Sequence, residues 1–390
     1  MRSGASRRQS VVVAALGTTH TLAWASSYYL PAIIADPVAA DLGISRSAVF
    51  GAFSGALLLT AMLGPAVGRA IDNRGGRGIL VLSNLVLATG LTLLALSHGI
   101  VGLGVAWAVL GVGMALGLYD TAFATLAGLY GVAARAPMTG ITLFAGFAST
   151  IGWPATLLFD DAFGWRGACL VWAAINLLVA LPLNRFLVPA APPPEHSRAP
   201  REEAGPPAPR FALAILAFVF TAVFFVAGAM AAHLPRLLQV TGATSSAAVA
   251  AAALVGPAQV GARLAEFALL RHIHPVISAR LAAMLHPLAA GCLALWGAPA
   301  SIAFALLHGA GTGMLTIARG TLPLAIFGAA GYGLRTGIMA APARIAGAVA
   351  PLLFGILLDE VGWAALAASS ALSLAAAAAL MMLRLPSRGD

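Results

Sequence analysis

Long apolar runs separated by short polar segments dominate the chain. Each run reaches the roughly 20 residues that an α-helix needs to cross about 30 Å of hydrocarbon. The pattern predicts twelve transmembrane helices, at about 11–34, 47–71, 78–97, 100–130, 138–159, 167–188, 211–235, 246–270, 276–296, 299–328, 337–358 and 362–383. We therefore predict an all-α integral membrane protein.

The apolar pattern is interrupted between the sixth and seventh predicted helices. Residues 189–210 carry two proline clusters and several charged side chains. A segment of this composition cannot bury enough apolar area to fold by itself. We predict an N-terminal six-helix bundle over 1–188, a cytoplasmic linker over 189–210 and a C-terminal six-helix bundle over 211–390.

Arginine indicates how these helices are oriented, since the chain contains 22 basic residues and no lysine. With a cytoplasmic N-terminus, 17 of them lie on inner loops or helix ends: Arg2, Arg7, Arg8, Arg69, Arg74, Arg77, Arg135, Arg185, Arg198, Arg201, Arg210, Arg263, Arg271, Arg280, Arg335, Arg384 and Arg388. Only Arg46, Arg166 and Arg236 fall on the outer side, whose loops carry acids instead. This asymmetry follows the positive-inside rule. It predicts a multi-pass protein with both termini cytoplasmic, in what we expect to be a bacterial inner membrane.

Composition narrows the functional class. Apolar residues make up 60% of the chain and charged residues 9%, against about 25% charged residues in soluble domains. Soluble enzymes and nucleic-acid-binding proteins are therefore excluded. The sequence contains no phosphate-binding loop, serine-hydrolase elbow or zinc-protease motif, so we expect no enzyme activity, cofactor or metal. The expected partners of a monomer are a small-molecule solute and the lipid bilayer.

The two halves of the chain share short motifs in the same order. Gly64-Pro65-Ala66 in the second predicted helix returns as Gly256-Pro257-Ala258 in the eighth. Gly164-Trp165 after the fifth helix returns as Gly362-Trp363 after the eleventh. Chance matches among glycine-rich helices are the alternative, but the shared order favours an internal repeat, as in transporters built from two six-helix bundles.

The loop between the second and third predicted helices reads Gly68-Arg-Ala-Ile-Asp72-Asn-Arg74-Gly75-Gly-Arg77. It resembles the G-x-x-x-D-R-x-G-R-R loop of the major facilitator superfamily of secondary transporters, and Gly68, Asp72, Gly75 and Arg77 match. Asn73 and Gly76 replace two basic residues, and Arg74 supplies one charge from a shifted position. The resemblance implies two pseudo-symmetric six-helix bundles that work by alternating access.

An acid beside arginines in a tight glycine turn can form a charge latch that stabilises one conformation of the bundle. We assign this role to Gly68, Asp72, Arg74, Gly75 and Arg77. The alternative is that these charges serve only to orient the membrane helices.

Two ionisable residues lie deep within predicted helices, Asp120 in the fourth and Arg319 in the tenth. Each costs about 2.5–3.5 kcal/mol on insertion scales, so such a residue normally faces a cavity or a partner. In the family resembled, these helices line the central cavity. We expect Arg319 to bind substrate and Asp120 to contribute to the site. A structural ion pair, or a charge that reaches the interface, is the alternative.

Helix one carries His20, Trp24 and Tyr28 at intervals of four residues. Residues at this spacing share one helical face. An aromatic face with a titratable imidazole suits a cavity wall that stacks against a ligand, and we assign all three to substrate binding. For Tyr28, an interfacial position is the alternative.

The fourth predicted helix lacks the arginine that many proton-driven family members carry, and Trp107 stands near that position. Asp120 is therefore the expected proton-coupling group, with His20 as the alternative carrier. The predicted function is secondary transport of a small solute, for which one intramembrane arginine favours an anion. Efflux of metalloids or drugs, and a transporter-like receptor or scaffold, are the alternatives.

Overall fold

The computed structural model describes residues 2–130, 135–190, 210–266, 273–327 and 332–383. Within these ranges, the side chains of residues 2–8, 72, 120, 127, 135, 136, 139, 210, 320, 321, 324, 325 and 332–338 are not described. The chain divides into two compact units, Met1–Ser197 and Arg198–Asp390. Most of the predicted linker, residues 191–209, lies outside the described residues. The described part is almost entirely helical and contains no strand, which confirms the predicted all-α class.

Along the chain, a π-helical turn (Asn176–Ala180) precedes the last helix of the first unit. Before it come α1 (Arg2–Ser26), α2 (Pro31–Leu42), α3 (Arg46–Arg74), α4 (Gly76–Ala95), α5 (Gly99–Gly117), α6 (Tyr119–Tyr130), α7 (Arg135–Ala145) and α8 (Ala148–Ile175), and after it α9 (Leu181–Leu187). The helices of the second unit are α10 (Arg210–Val240), α11 (Ser245–Ala253), α12 (Val255–Ala265), α13 (Pro275–Trp296), α14 (Ser301–Phe327), α15 (Tyr332–Val361) and α16 (Ala365–Met381).

Nine segments of the described chain are long and apolar enough to cross a membrane. Two of them, Gly140–Leu187 and Met339–Met381, contain 48 and 43 residues, about twice the roughly 20 that one crossing requires. The backbone leaves helical geometry in each at a glycine with positive φ, Gly164 (70°) and Gly362 (59°). Helices α1 and α2 together cover the first predicted span, and neither is among the nine. The total of twelve crossings therefore stays a prediction.

Four spans that were predicted to be continuous are interrupted. The fifth breaks at Gly146 and Phe147, between α7 and α8. Helix α1 ends at Ser26, and Pro31, which has no N–H to donate, begins α2. The eighth span breaks at Leu254, because Pro257 cannot donate a hydrogen bond back to the preceding turn. The fourth span breaks at Leu118, whose backbone is extended (φ −88°, ψ −170°). Thr121 Oγ1 stabilises this break by donating to the carbonyl of Ala115 at 3.0 Å.

A chain of buried amides joins α1, α4 and the sixth span in the first unit. Asn184 accepts a hydrogen bond from Thr19 Oγ1 (3.1 Å) and donates to Asn84 Oδ1 (2.8 Å). Asn176 donates to Ser26 Oγ (3.0 Å) and accepts from Asn84 Nδ2 (3.4 Å). An unsatisfied polar group costs several kcal/mol in hydrocarbon. The hydrogen bonds therefore specify how the three spans are rotated against each other.

The second unit packs α10 and α13–α16 around one apolar core. Helix α14 approaches α12 closely at two glycines, where an added β-carbon would lie 2.7 Å from Val255 O (Gly309) and 2.6 Å from Gln259 O (Gly313). The spacing is the G-x-x-x-G pattern that lets membrane helices touch through their backbones.

Arg280 of α13 caps the C-terminal end of α16. Its guanidinium donates to the carbonyl oxygens of Leu380 (3.1 Å) and Leu383 (2.8 Å). The last carbonyls of a helix have no partner within it, and a cation there is also favoured by the helix dipole. The arginine thus ties the first turns of α13 to the end of α16.

Candidate functional site

The predicted face of helix one contacts the start of α6. The His20 ring lies 5.3 Å from the ring of Tyr119, and the Trp24 ring lies 5.2 Å from it. Tyr28, in the turn after α1, lies 4.8 Å from Trp24 between ring centroids. The structure therefore brings His20, Trp24 and Tyr28 together and adds Tyr119, which the sequence analysis missed.

Further rings extend this contact across the first unit. Tyr28 contacts Phe53 (5.7 Å), which in turn contacts Trp107 (5.0 Å). Tyr29 contacts Trp153 (5.4 Å). We define the aromatic cluster as the side chains of Trp24, Tyr28, Tyr29, Phe53, Trp107, Tyr119, Phe123 and Trp153. It connects α1, α3, α5, α6 and α8 within the first unit.

His20 lies at the break in the fourth span. Its side chain is 1% exposed, and its imidazole hydrogen-bonds the backbone of Leu118. The carbonyl of Leu118 also accepts from the N–H of Thr121 at 3.1 Å. Transporters commonly bind substrates and ions where a membrane helix is discontinuous, because the interruption exposes backbone polar groups to the site. This break and the aromatic cluster form the candidate site.

The candidate site holds an excess of hydrogen-bond donors. The Nε1 atoms of Trp24, Trp107 and Trp153 are buried without a hydrogen-bond partner in the described part of the chain. An indole N–H can only donate, and leaving a buried donor unsatisfied costs about 1–3 kcal/mol. His20 Nε2 is also buried without a partner among the described residues. Because the other ring nitrogen donates to the Leu118 backbone, Nε2 of the neutral imidazole is an acceptor and not a further donor. The arrangement suits a planar ligand with exposed acceptor oxygens.

The predicted charged pair is described only in part. Arg319 lies on α14 with an exposed side chain, and its guanidinium carbon stands 4.2 Å from the centre of the Phe224 ring on α10. The arginine thus makes a cation–π contact, a contact that the sequence analysis did not predict. Asp120 is the second residue of α6, and its side chain lies outside the described residues.

The predicted latch spans the junction of α3 and α4. Gly68 and Arg74 lie in the last part of α3, and Arg77 lies in the first turn of α4. Gly75 joins the helices with φ 74° and ψ 159°, and its N–H bonds the carbonyl of Ile71 at 2.8 Å. A residue with a side chain rarely adopts this φ. The side chain of Asp72 lies outside the described residues.

Comparison with known proteins places this geometry in a family. Residues 16–301 match the family model described as the Major Facilitator Superfamily. The MFS-type efflux pump of Mycolicibacterium smegmatis (strain ATCC 700084 / mc(2)155) is 29% identical over 195 residues. This match covers 48% of the present chain and 44% of that protein, so the chain spans less than half the length of the relative.

Two solved structures share the overall fold. Both are crystal structures of a bacterial homologue of the human lysosomal transporter Spinster in an inward-facing conformation. The occupied form has a TM-score of 0.71 at 17% identity and covers 96% of each chain. The unoccupied form has a TM-score of 0.67 at 16% identity and covers 96% of this chain and 94% of that one. Because the family model matches well over half of the residues and the fold agrees throughout, the chain belongs to the Major Facilitator Superfamily.

Proposed function

We propose that the chain is a secondary transporter that exports a small anionic aromatic solute across the bacterial inner membrane by alternating access. The observation that carries this proposal is the aromatic cluster with its three unsatisfied indole N–H groups. Family membership supports transport, and the similarity to an efflux pump supports export over uptake.

The cluster supports an aromatic substrate through two interactions. Ring–ring contacts contribute about 0.5–1.5 kcal/mol beyond the area they bury. A carboxylate or carbonyl oxygen on the same ligand would accept from Trp24, Trp107 or Trp153, whose donors otherwise stay unsatisfied. Because tryptophan carries no acceptor, ligands rich in donors gain nothing from these groups.

Arg319 supports the preference for an anion. Its side chain is exposed, and its guanidinium lies over the Phe224 ring. Arginine binds carboxylates in a bidentate manner that the point charge of lysine does not reproduce. For proton coupling we assign Asp120, with His20 at the break in the fourth span as the alternative carrier.

Thermal stabilisation of the purified full chain tests the proposed solute class. We expect 2-naphthoate to raise the apparent unfolding temperature and cyclohexanecarboxylate, which has the charge but no aromatic ring, to do so far less. In Arg319→Ala and Arg319→Lys, 2-naphthoate should lose its effect, whereas neutral 2-naphthamide should keep it. Arg344→Ala is the matched control, since Arg344 is also exposed in the second unit.

Counterflow of radiolabelled 2-naphthoate in proteoliposomes then tests transport itself. Binding without counterflow would contradict the transporter assignment and favour a receptor. Equal stabilisation by the aromatic and non-aromatic acids would contradict the role of the aromatic cluster. Full binding of 2-naphthoate by Arg319→Ala would remove Arg319 from the site.

A further inference from the structure

Two histidines of the second unit form a pair in its interior. His286 on α13 and His308 on α14 are 5% and 4% exposed. Their Nδ1 atoms lie 3.0 Å apart, and their ring planes meet at 69°. Two neutral imidazoles make such a contact when the Nδ1–H of one ring donates a hydrogen bond to the unprotonated Nδ1 of the other.

Ser369 on α16 decides which histidine donates. Its hydroxyl donates to the carbonyl of Leu366 at 3.1 Å, so its oxygen must accept at the 3.0 Å contact with His286 Nε2. His286 therefore carries its proton on Nε2 and accepts on Nδ1. It follows that His308 donates from Nδ1, which leaves His308 Nε2 as the one basic nitrogen of the pair.

A small cavity adjoins the pair. It has a volume of about 20 Å³, and its polar lining consists of His286, His308, Thr312 and Ser373 within an apolar wall. A cavity of roughly 10–15 Å³ already holds one water molecule if two to four polar groups bind it. The site thus has room for a single water beside the two imidazoles.

No charged group on the surrounding helices lines the cavity. In the described chain, Arg263 of α12 bonds Gly313 O, Arg280 of α13 bonds the end of α16, Arg319 of α14 lies over Phe224, and His233 of α10 contacts Pro351 O at 2.6 Å. Arg236 of α10 and Arg344, Asp359 and Glu360 of α15 lie outside the cavity lining. The side chains of Arg210 and Arg335 are outside the described residues, and α11 and α16 contain no ionisable residue. A proton added to the pair therefore has no carboxylate beside it in the described structure.

We propose that His308 Nε2 is a proton-binding site of the second unit, supplied through a water in the adjoining cavity. A hydronium in the cavity transfers one proton to His308 Nε2 and remains as water, and the resulting imidazolium keeps its Nδ1–H bond to His286. Its positive charge lies among apolar side chains, where an unpaired charge is costly. Protonation therefore favours an arrangement in which α14 separates from α13 and α16 and water enters. This coupling role rests on the proposed transport function, and the site is separate from Asp120 and His20.

Nitrogen NMR of the ¹⁵N-histidine-labelled full chain in nanodiscs tests the proton site without any solute. At neutral pH we expect His286 protonated at Nε2 and His308 at Nδ1, with assignments from His286→Gln and His308→Gln. Acidification should protonate His308 Nε2, and Ser369→Ala should mix the two tautomers. His233→Gln, which removes a buried histidine bonded to a carbonyl, should leave both signals unchanged.

Flux measurements test the coupling separately. With 2-naphthoate as probe, His308→Gln should lower gradient-driven accumulation by about tenfold, within the 5–150-fold range usual for coupled sites, and leave counterflow intact. A His308 signal that stays unprotonated over the whole pH range of the folded protein would overturn the proton site. A confirmed titration with unchanged accumulation would overturn the coupling, whereas absence of wild-type flux contradicts the proposed solute or function and leaves the NMR result to decide the site.

Discussion

At the scale of the residue, Glu266 lies directly after α12, just beyond the apolar span Ser245–Ala265, and combines partial burial with incomplete hydrogen bonding. Ser278 Oγ donates to its Oε1 at 2.6 Å, whereas its Oε2 is buried without a partner in the described chain. Burial raises the pKa of the Glu266 carboxyl above its ordinary value, and the hydrogen bond from Ser278 opposes this shift. The ionised carboxylate is therefore less stable here than in water.

We predict that Glu266→Gln stabilises the protein at neutral pH. An acid with a raised pKa binds more protons when folded than when unfolded, so wild-type stability falls as pH rises from about 4.3 through the folded pKa. Glutamine can still accept from Ser278 but carries no charge. The difference in apparent unfolding temperature should be positive at pH 7 and shrink as pH falls toward the unfolded value.

The matched control for this experiment is Glu360→Gln, which removes an exposed carboxyl of α15. A gain of the same size in Glu360→Gln would mean that net charge rather than burial causes the effect. A Glu266→Gln difference that is constant with pH would contradict the assignment to ionisation.

At the scale of the element, two neighbouring glycines shape the junction of α3 and α4 for different reasons. Gly75 adopts a positive φ. Gly76 lies in the first turn of α4, and a β-carbon there would overlap Thr125 Oγ1 of α6. The family loop carries a basic residue where this chain has Gly76. Because a side chain at position 76 would clash with Thr125, this chain has glycine where the family has a basic residue.

We predict that Gly76→Ala destabilises the packing of α4 on α6. Overpacking of a tight contact costs about 1–3 kcal/mol, which should lower the apparent unfolding temperature in detergent. Gly78→Ala is the control, since nothing lies within 4 Å of its added β-carbon. Alanine at that helical position should stabilise by about 0.4–1 kcal/mol. Equal stability of the two variants would show that α4 and α6 accommodate the methyl group by moving apart.

At the scale of the whole molecule, the loop of α3 and α4 is predicted to control conformational exchange rather than substrate affinity. Asp72→Asn should change the rate of 2-naphthoate counterflow and leave the intrinsic affinity of the binding-competent state nearly unchanged, because a latch biases one state without touching the solute. Asn73→Ala, at the exposed neighbouring position, is the control. Normal counterflow in Asp72→Asn would contradict the latch and indicate that the loop charges only orient the membrane helices.

The residues of the candidate site were predictable to different degrees. The four-residue spacing of His20, Trp24 and Tyr28 indicated one face of helix one, because side-chain direction follows from helical geometry. Tyr119 carried no comparable signal, since its contact with His20 and Trp24 depends on how α1 and α6 pack. Trp107 was visible only as the residue near the position of the family's arginine, and Trp153 entered the site only through its ring contact with Tyr29.

Hydropathy and charge alone determined the all-α membrane class and the approximate places of the apolar spans, and a short residue motif identified the family loop. These properties are local, because a helix in hydrocarbon satisfies its own backbone and needs only a long apolar run. Tertiary structure alone decided the break at Leu118, the amide chain through Asn84 and the pairing of His286 with His308. Each depends on side chains from different helices meeting at hydrogen-bonding distance. Helical spacing within one segment carries no information about that meeting, which packing between segments sets.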